Sequence, residues 1–369
     1  MPNQVSAVES ISPAFARTKR LLFGPFRFGL WARLAVVALV TGETGGGGGA
    51  SLPNFNSNRG GDNHWAAAAH LLRKPDWADI QPYLFWIVLG ALAVVGLMLL
   101  WIYSDCVYRF ILLESVISGQ CRLREGWRRW RGAGRRYLLW VIAYGFSALV
   151  LLGFVIGVPV LLAFRAGWFE KSGQHTWELI GGGFLLVLAF IAIVAILAVI
   201  DLLARDFLVP VMAFENVGAM DGWRRLLAIL NAEKLAFTGY VLMKIVLAVG
   251  SAIIFTIVNL IVILVLLIPL AVLGVAGFFI GKSAGITWDT SAILLVAGLG
   301  MLAIAGILYV IGFVYAPGLV FFQSYTLEFF ASRYGPLANS MFPPSLPVTP
   351  PAVPMPAAGP FPPPEPSAV

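Results

Sequence analysis

The chain has 369 residues, 59% of them hydrophobic and only 12% charged, with a net charge of +7. A soluble globular domain carries about twice that charged fraction, so the composition excludes a water-coated fold of this size. Several apolar runs exceed the roughly 20 residues a helix needs to cross a bilayer. The expected class is therefore an all-α, polytopic transmembrane helical bundle. The positive balance does not point to nucleic acid, because the cations gather at the ends of apolar runs, as membrane topology requires.

In chain order, residues 1–42 read as a cationic amphipathic entry segment, "SPAFARTKRLLF", followed by a weak first span, "FRFGLWARLAVVALVTG", interrupted by Arg33. A cleaved leader is not expected: the stretch "LAVVALV" begins only at Leu34 and no A-x-A pattern follows. Residues 43–82 form an exterior Gly/Asn-rich loop, with "HWAAAAHLLRKPDWADI" as a short surface helix carrying Trp65 and Trp77 at headgroup level. The glycines lack the flanking strand, helix and lysine of a phosphate loop. Residues 83–178 hold two spans around an arginine-rich loop, and 179–290 hold two more. The run 235–281, interrupted by Pro269, is read as one span with a membrane-dipping piece, since no polar loop divides it. Residues 291–335 make the last span. The proline-dense stretch 336–369 should be disordered or extended, and it offers contacts to a protein partner with an aromatic groove.

Charge sets the orientation. Arg122, Arg124, Arg128, Arg129, Arg131, Arg135 and Arg136 crowd one loop, and Arg224, Arg225 and Lys234 another, whereas the loop at 281–290 has only Lys282. The arginine-rich loops should be cytoplasmic. About six spans, with both termini cytoplasmic, is the self-consistent topology if residues 26–42 cross.

The tetrapeptide GWRR occurs at Gly126–Arg129 and again at Gly222–Arg225, 96 residues on. At the same offset Asp105 meets Asp201, Arg109 meets Arg205, Glu125 meets Asp221 and Tyr144 meets Tyr240. This register describes a degenerate two-span repeat. An even number of spans preserves orientation, so the copies would be parallel and related by an axis along the membrane normal.

Asp105, Arg109, Asp201 and Arg205 are the candidate polar site. Each pair is spaced i, i+4 on one helix face. They act either as interfacial ion pairs or as four groups meeting between the repeats; charges near an interface cost far less than charges at midplane. Trp127, Arg128, Arg129, Trp223, Arg224 and Arg225 are expected to anchor the chain at anionic lipid headgroups on the cytoplasmic side. Pro210 should kink or break its helix. Lys244 is expected to snorkel to the cytoplasmic face, and Asn259 to bond a neighbouring helix.

No catalytic, metal or cofactor constellation stands out. His64, His70 and His175 are scattered over loops without H-x-x-x-H spacing, and Cys106 and Cys121 give neither a disulfide framework nor a metal motif. The segments "LLFGPFRFGLWARLAVVAL", "DFLVPVMAFENVGAMDGWRR" and "APGLVFFQSYTLEFFASRYGPL" resemble an uncharacterised family of bacterial multi-pass membrane proteins. That family is distantly similar to the membrane domain accompanying some glycerophosphodiester phosphodiesterases. The resemblance implies a bacterial inner-membrane protein and supplies no catalytic residue. The expected role is a non-catalytic membrane component or scaffold. The other reading is a transporter or lipid-handling protein with a polar site between the repeats.

Overall fold

The computed structural model describes residues 5–24, 26–42, 84–168, 176–283 and 290–342. The exterior loop 43–82 with its surface helix, the three histidines and the chain beyond Phe342 lie outside the described residues. Within the described residues the regular elements are all helical: α1 Ile11–Phe23, α2 Phe28–Thr41, α3 Leu84–Ser118, α4 Leu123–Arg165, α5 Thr176–Leu203, a π-turn Ala204–Leu208, α6 Val209–Glu215, α7 Ala219–Ala232, α8 Lys234–Ser283, α9 Thr290–Ala331 and α10 Gly335–Met341. In lipid every backbone N–H and C=O needs an internal partner, and a helix supplies one within its own segment.

Among the described residues, five helices are long and apolar enough to cross a membrane: α3, α4, α5 running on into α6, α8 and α9. α8 runs unbroken through Pro269 for 50 residues, about 75 Å at the helical rise. α2 is the shorter sixth, with 14 residues covering about 21 Å, less than the roughly 30 Å of a hydrocarbon core.

The long helices divide along their length. Residues 84–101 of α3 are exposed throughout, while Cys106, Val107 and Phe110–Leu113 farther along are buried. Likewise 293–302 of α9 are exposed, whereas Ala316, Leu319, Val320 and Phe329 are buried. The exposed halves are bare of charge and suit lipid. The buried halves join α1, α2, α7 and α10 in one packed base. Phe207, Tyr240, Phe329 and Phe330 form its centre, with Phe207 5.0 Å from both the Tyr240 and Phe330 rings. Offset and edge-on ring contacts of this kind add stability beyond area burial.

The described ends of the chain meet on this base. Arg333 donates to the Val5 carbonyl at 3.1 Å, and Arg17 pairs with Glu328 at 3.1 Å. The first residues of the stretch expected to be disordered instead form α10, with Leu337 and Met341 buried. Those two apolar positions provide the contact that a proline-rich composition alone does not suggest.

Candidate functional site in the charged base

The α5–α6 rod carries the densest chemistry. It stays helical from Thr176 to Glu215, and Pro210 neither breaks nor ends it. The strain is absorbed upstream, where the Val209 N–H donates to the Ala204 carbonyl in the five-residue step of a π-turn. Pro210 supplies no N–H to the preceding turn and would crowd it. The wider turn accommodates both effects and changes which face each following residue presents.

Asp206 lies inside that turn and is buried. Lys244 of α8 donates to both of its carboxylate oxygens, at 2.6 and 2.5 Å. Tyr240, one turn before Lys244, donates to Asp206 Oδ2 at 2.9 Å and lies 2.7 Å from Thr326 Oγ1 of α9. Three long helices are thus pinned at one carboxylate. Lys244 does not snorkel: it is only 9% exposed, because a buried counter-ion two helices back in sequence holds the ammonium inside.

The paired charges expected from spacing also form. Arg109 reaches Asp105 through Nε at 3.2 Å and Nη2 at 3.1 Å. Arg205 meets Asp201 at 2.6 Å. Both guanidiniums lie within electrostatic range of the buried Tyr137 phenol on α4. Tyr144, a further two turns along, donates to the Leu197 carbonyl of α5 at 2.6 Å.

Each GWRR segment opens a helix that doubles back on the one before it. A Cβ on Gly126 would stand 2.9 Å from Ile111 Cγ1, and one on Gly222 2.7 Å from Leu208 Cδ1. Glycine is what permits the close crossing. The second arginine of each copy then ties back to a carboxylate on the preceding helix: Arg129 to Glu114 at 2.7 Å, and Arg225 to Glu215. Arg128 and Arg224 remain exposed. Trp127 packs against Tyr103 and Tyr108, each 5.6 Å away, and Trp223 lies 5.8 Å from Trp140. All four arginines expected to face headgroups stay exposed, and Arg129 and Arg225 carry an ion pair to the preceding helix as well.

Further charged contacts close the base. Arg136 of α4 donates to the Asn216 carbonyl at 3.0 Å and to its Oδ1 at 2.5 Å. Asn216 is the left-handed corner, φ 50°, between α6 and α7. Arg333 pairs with Glu233 at 2.7 Å and lies 4.0 Å over the Phe329 ring. Tyr334 donates to Glu215 at 2.6 Å.

The sequence reading missed Asp206, Glu233 and Arg333. Asp206 had a usable signal: with leucine at i−4 and i−3, valine at i+3 and proline at i+4, it has no cation on its own helix face and must look to another helix. Among the described residues no group of three or more His, Cys, Asp or Glu side chains is placed to hold a metal ion.

Residues 5–339 match a family of unknown function, DUF7544. The chain belongs to that family. No curated protein and no solved structure matches it. The family match extends from the first described residues into α10, so it takes in the charged residues of the base.

Proposed function

We propose that this DUF7544 protein is a non-catalytic component of the bacterial inner membrane, a scaffold whose folded platform is the charged base. The observation that carries this reading is the mutual satisfaction of the buried polar groups clustered around Asp206. Asp206, Lys244, Tyr240 and Thr326 bond one another across three helices, which is the arrangement of a structural pin. A transport site needs groups that exchange partners with cargo.

The arginines of the two GWRR corners favour placing the base on the cytoplasmic side. On that reading, five crossings from Leu84 to Ala331 put Leu84 at the end opposite Arg333, and hence opposite Val5. α2 then begins a sixth crossing, and both described ends are cytoplasmic. The 96-residue register of Asp105/Asp201, Arg109/Arg205 and the two GWRR corners supports a parallel two-span repeat. The distant resemblance to membrane domains that accompany phosphodiesterases fits a membrane component without bringing catalytic residues to this chain.

The test is cysteine chemistry in a chain with Cys106 and Cys121 replaced by alanine. Asp105→Cys and Asp201→Cys are probed singly with an impermeant thiol reagent from each side, and together for cross-linking. A scaffold gives labelling from one side only, unchanged by added ions or solutes. Labelling that alternates between sides or responds to a solute would replace this reading with a transporter whose site lies between the repeats.

A further inference from the structure

The start of α2 and the corner between α3 and α4 face each other across a cavity of about 370 Å3. Arg27, Arg33 and Arg122 line it, with Gly29, Gly119 and Cys121. Arg33 donates to the Cys121 carbonyl at 2.7 Å and so ties the two walls together while its remaining N–H groups stay available. Arg122 is steadied by Gln120 at 2.9 Å and Glu125 at 3.0 Å. Arg27 has no ion-pair partner among the described residues. Three guanidiniums against the Glu125 carboxylate leave a local balance of +2.

The backbone adds to that balance. Arg27 and Arg122 are the N-cap residues of α2 and α4, and neither helix start has a side-chain cap. Both first turns therefore present N–H groups without side-chain acceptors, at the positive ends of their helix dipoles. Gly29 and Gly119 put no side chain into the space, and Gly119 holds φ +70°, a conformation that favours glycine.

We propose that this cavity binds a phosphate group. Planar guanidinium forks match the oxygens of a phosphate, and two net positive charges suit its charge better than that of a single carboxylate. The phosphate could belong to an anionic lipid headgroup or to a soluble phosphate. The site stands on its own geometry, whether or not the protein is a scaffold.

The test titrates purified full-length protein in detergent with phosphatidylglycerol, with phosphatidylcholine and with inorganic phosphate, following bound species by native mass spectrometry and melting by tryptophan fluorescence. The variants are Arg27→Gln with Arg122→Gln and, as a control outside the cavity, Arg124→Gln. These side chains are exposed, so folding should survive, and an unchanged melting curve without ligand checks this. Phosphatidylglycerol retained over phosphatidylcholine, and weakened at least tenfold in the double variant only, supports the site with a lipid source. Inorganic phosphate raising the melting temperature of wild type but not of the double variant supports it with a soluble source. Binding that survives the double substitution, or that is absent from wild type for both phosphate probes, overturns it.

Discussion

Burying Lys244 against Asp206 takes two charges out of water, a cost that only close pairing and further hydrogen bonds offset. Both conditions are met, because Tyr240 takes up another lone pair of the carboxylate. Removing one partner strands the other. Lys244→Ala or Asp206→Ala is expected to destabilise by about 3–5 kcal/mol, whereas Lys244→Met combined with Asp206→Leu should recover most of the loss. Denaturant unfolding in mixed micelles, followed by tryptophan fluorescence, measures both; a double variant no better than the singles would mean that the pair does more than fill its site. A second residue-scale prediction concerns Cys121, which lies between α3 and α4. Burial pushes its thiol above the usual range, against the lowering effects of the Ser115 hydrogen bond and Arg33. A folded-state value raised above the unfolded one favours folding below the ordinary thiol pKa, and that contribution is lost as pH rises through the folded value. In a Cys106→Ala chain, iodoacetamide should therefore modify Cys121 more slowly than a free thiol at mildly alkaline pH. A rate profile matching free cysteine would contradict that burial.

At the scale of elements, a close backbone approach between two helices lies where α2 crosses α9. A Cβ on Gly312 would stand 2.8 Å from the Ala35 carbonyl oxygen, and backbone cannot swing aside as a side-chain tip can. Gly312→Ala should cost about 1–3 kcal/mol through overpacking. Gly306→Ala, one and a half turns earlier with nothing within 4 Å, should be neutral or slightly stabilising, since alanine is the better helix former. Equal effects at the two positions would show that the crossing is looser than drawn. The two GWRR corners illustrate what spacing reveals about elements and what it hides. Their 96-residue register locates both helix starts, Leu123 and Ala219, because capping and doubling back are local events. Their carboxylate partners, Glu114 and Glu215, are 101 residues apart, so no register links them. The π-turn offers part of the reason: it inserts a wider turn into the second copy alone and shifts the faces that follow.

On the scale of the whole molecule, stability is concentrated at one end. The most apolar stretches of α3, α4, α5 and α9 have no buried residues, whereas the base brings together both described chain ends and most of the buried aromatic rings. This predicts a common sidedness for the ends. Single cysteines at the exposed positions Val8 and Phe342, in a Cys106→Ala, Cys121→Ala chain, should react with an impermeant reagent from the same side of the membrane. Labelling from opposite sides would contradict the Arg333–Val5 contact.

The class of the fold followed from the residues alone. So few charges and such long apolar runs leave the backbone no partners in lipid except its own, and a helix is the arrangement that satisfies them within one segment. The Asp105–Arg109 and Asp201–Arg205 pairs were equally legible, because i, i+4 spacing places both members on one face before any packing occurs. The partners of Asp206, Lys244, Arg333 and Glu215 were decided by the tertiary structure. The Tyr240–Asp206, Lys244–Asp206, Arg333–Glu233 and Tyr334–Glu215 contacts span 34 to 119 residues of sequence. They depend on which helix faces meet, and one π-turn ahead of Pro210 is enough to redirect a face.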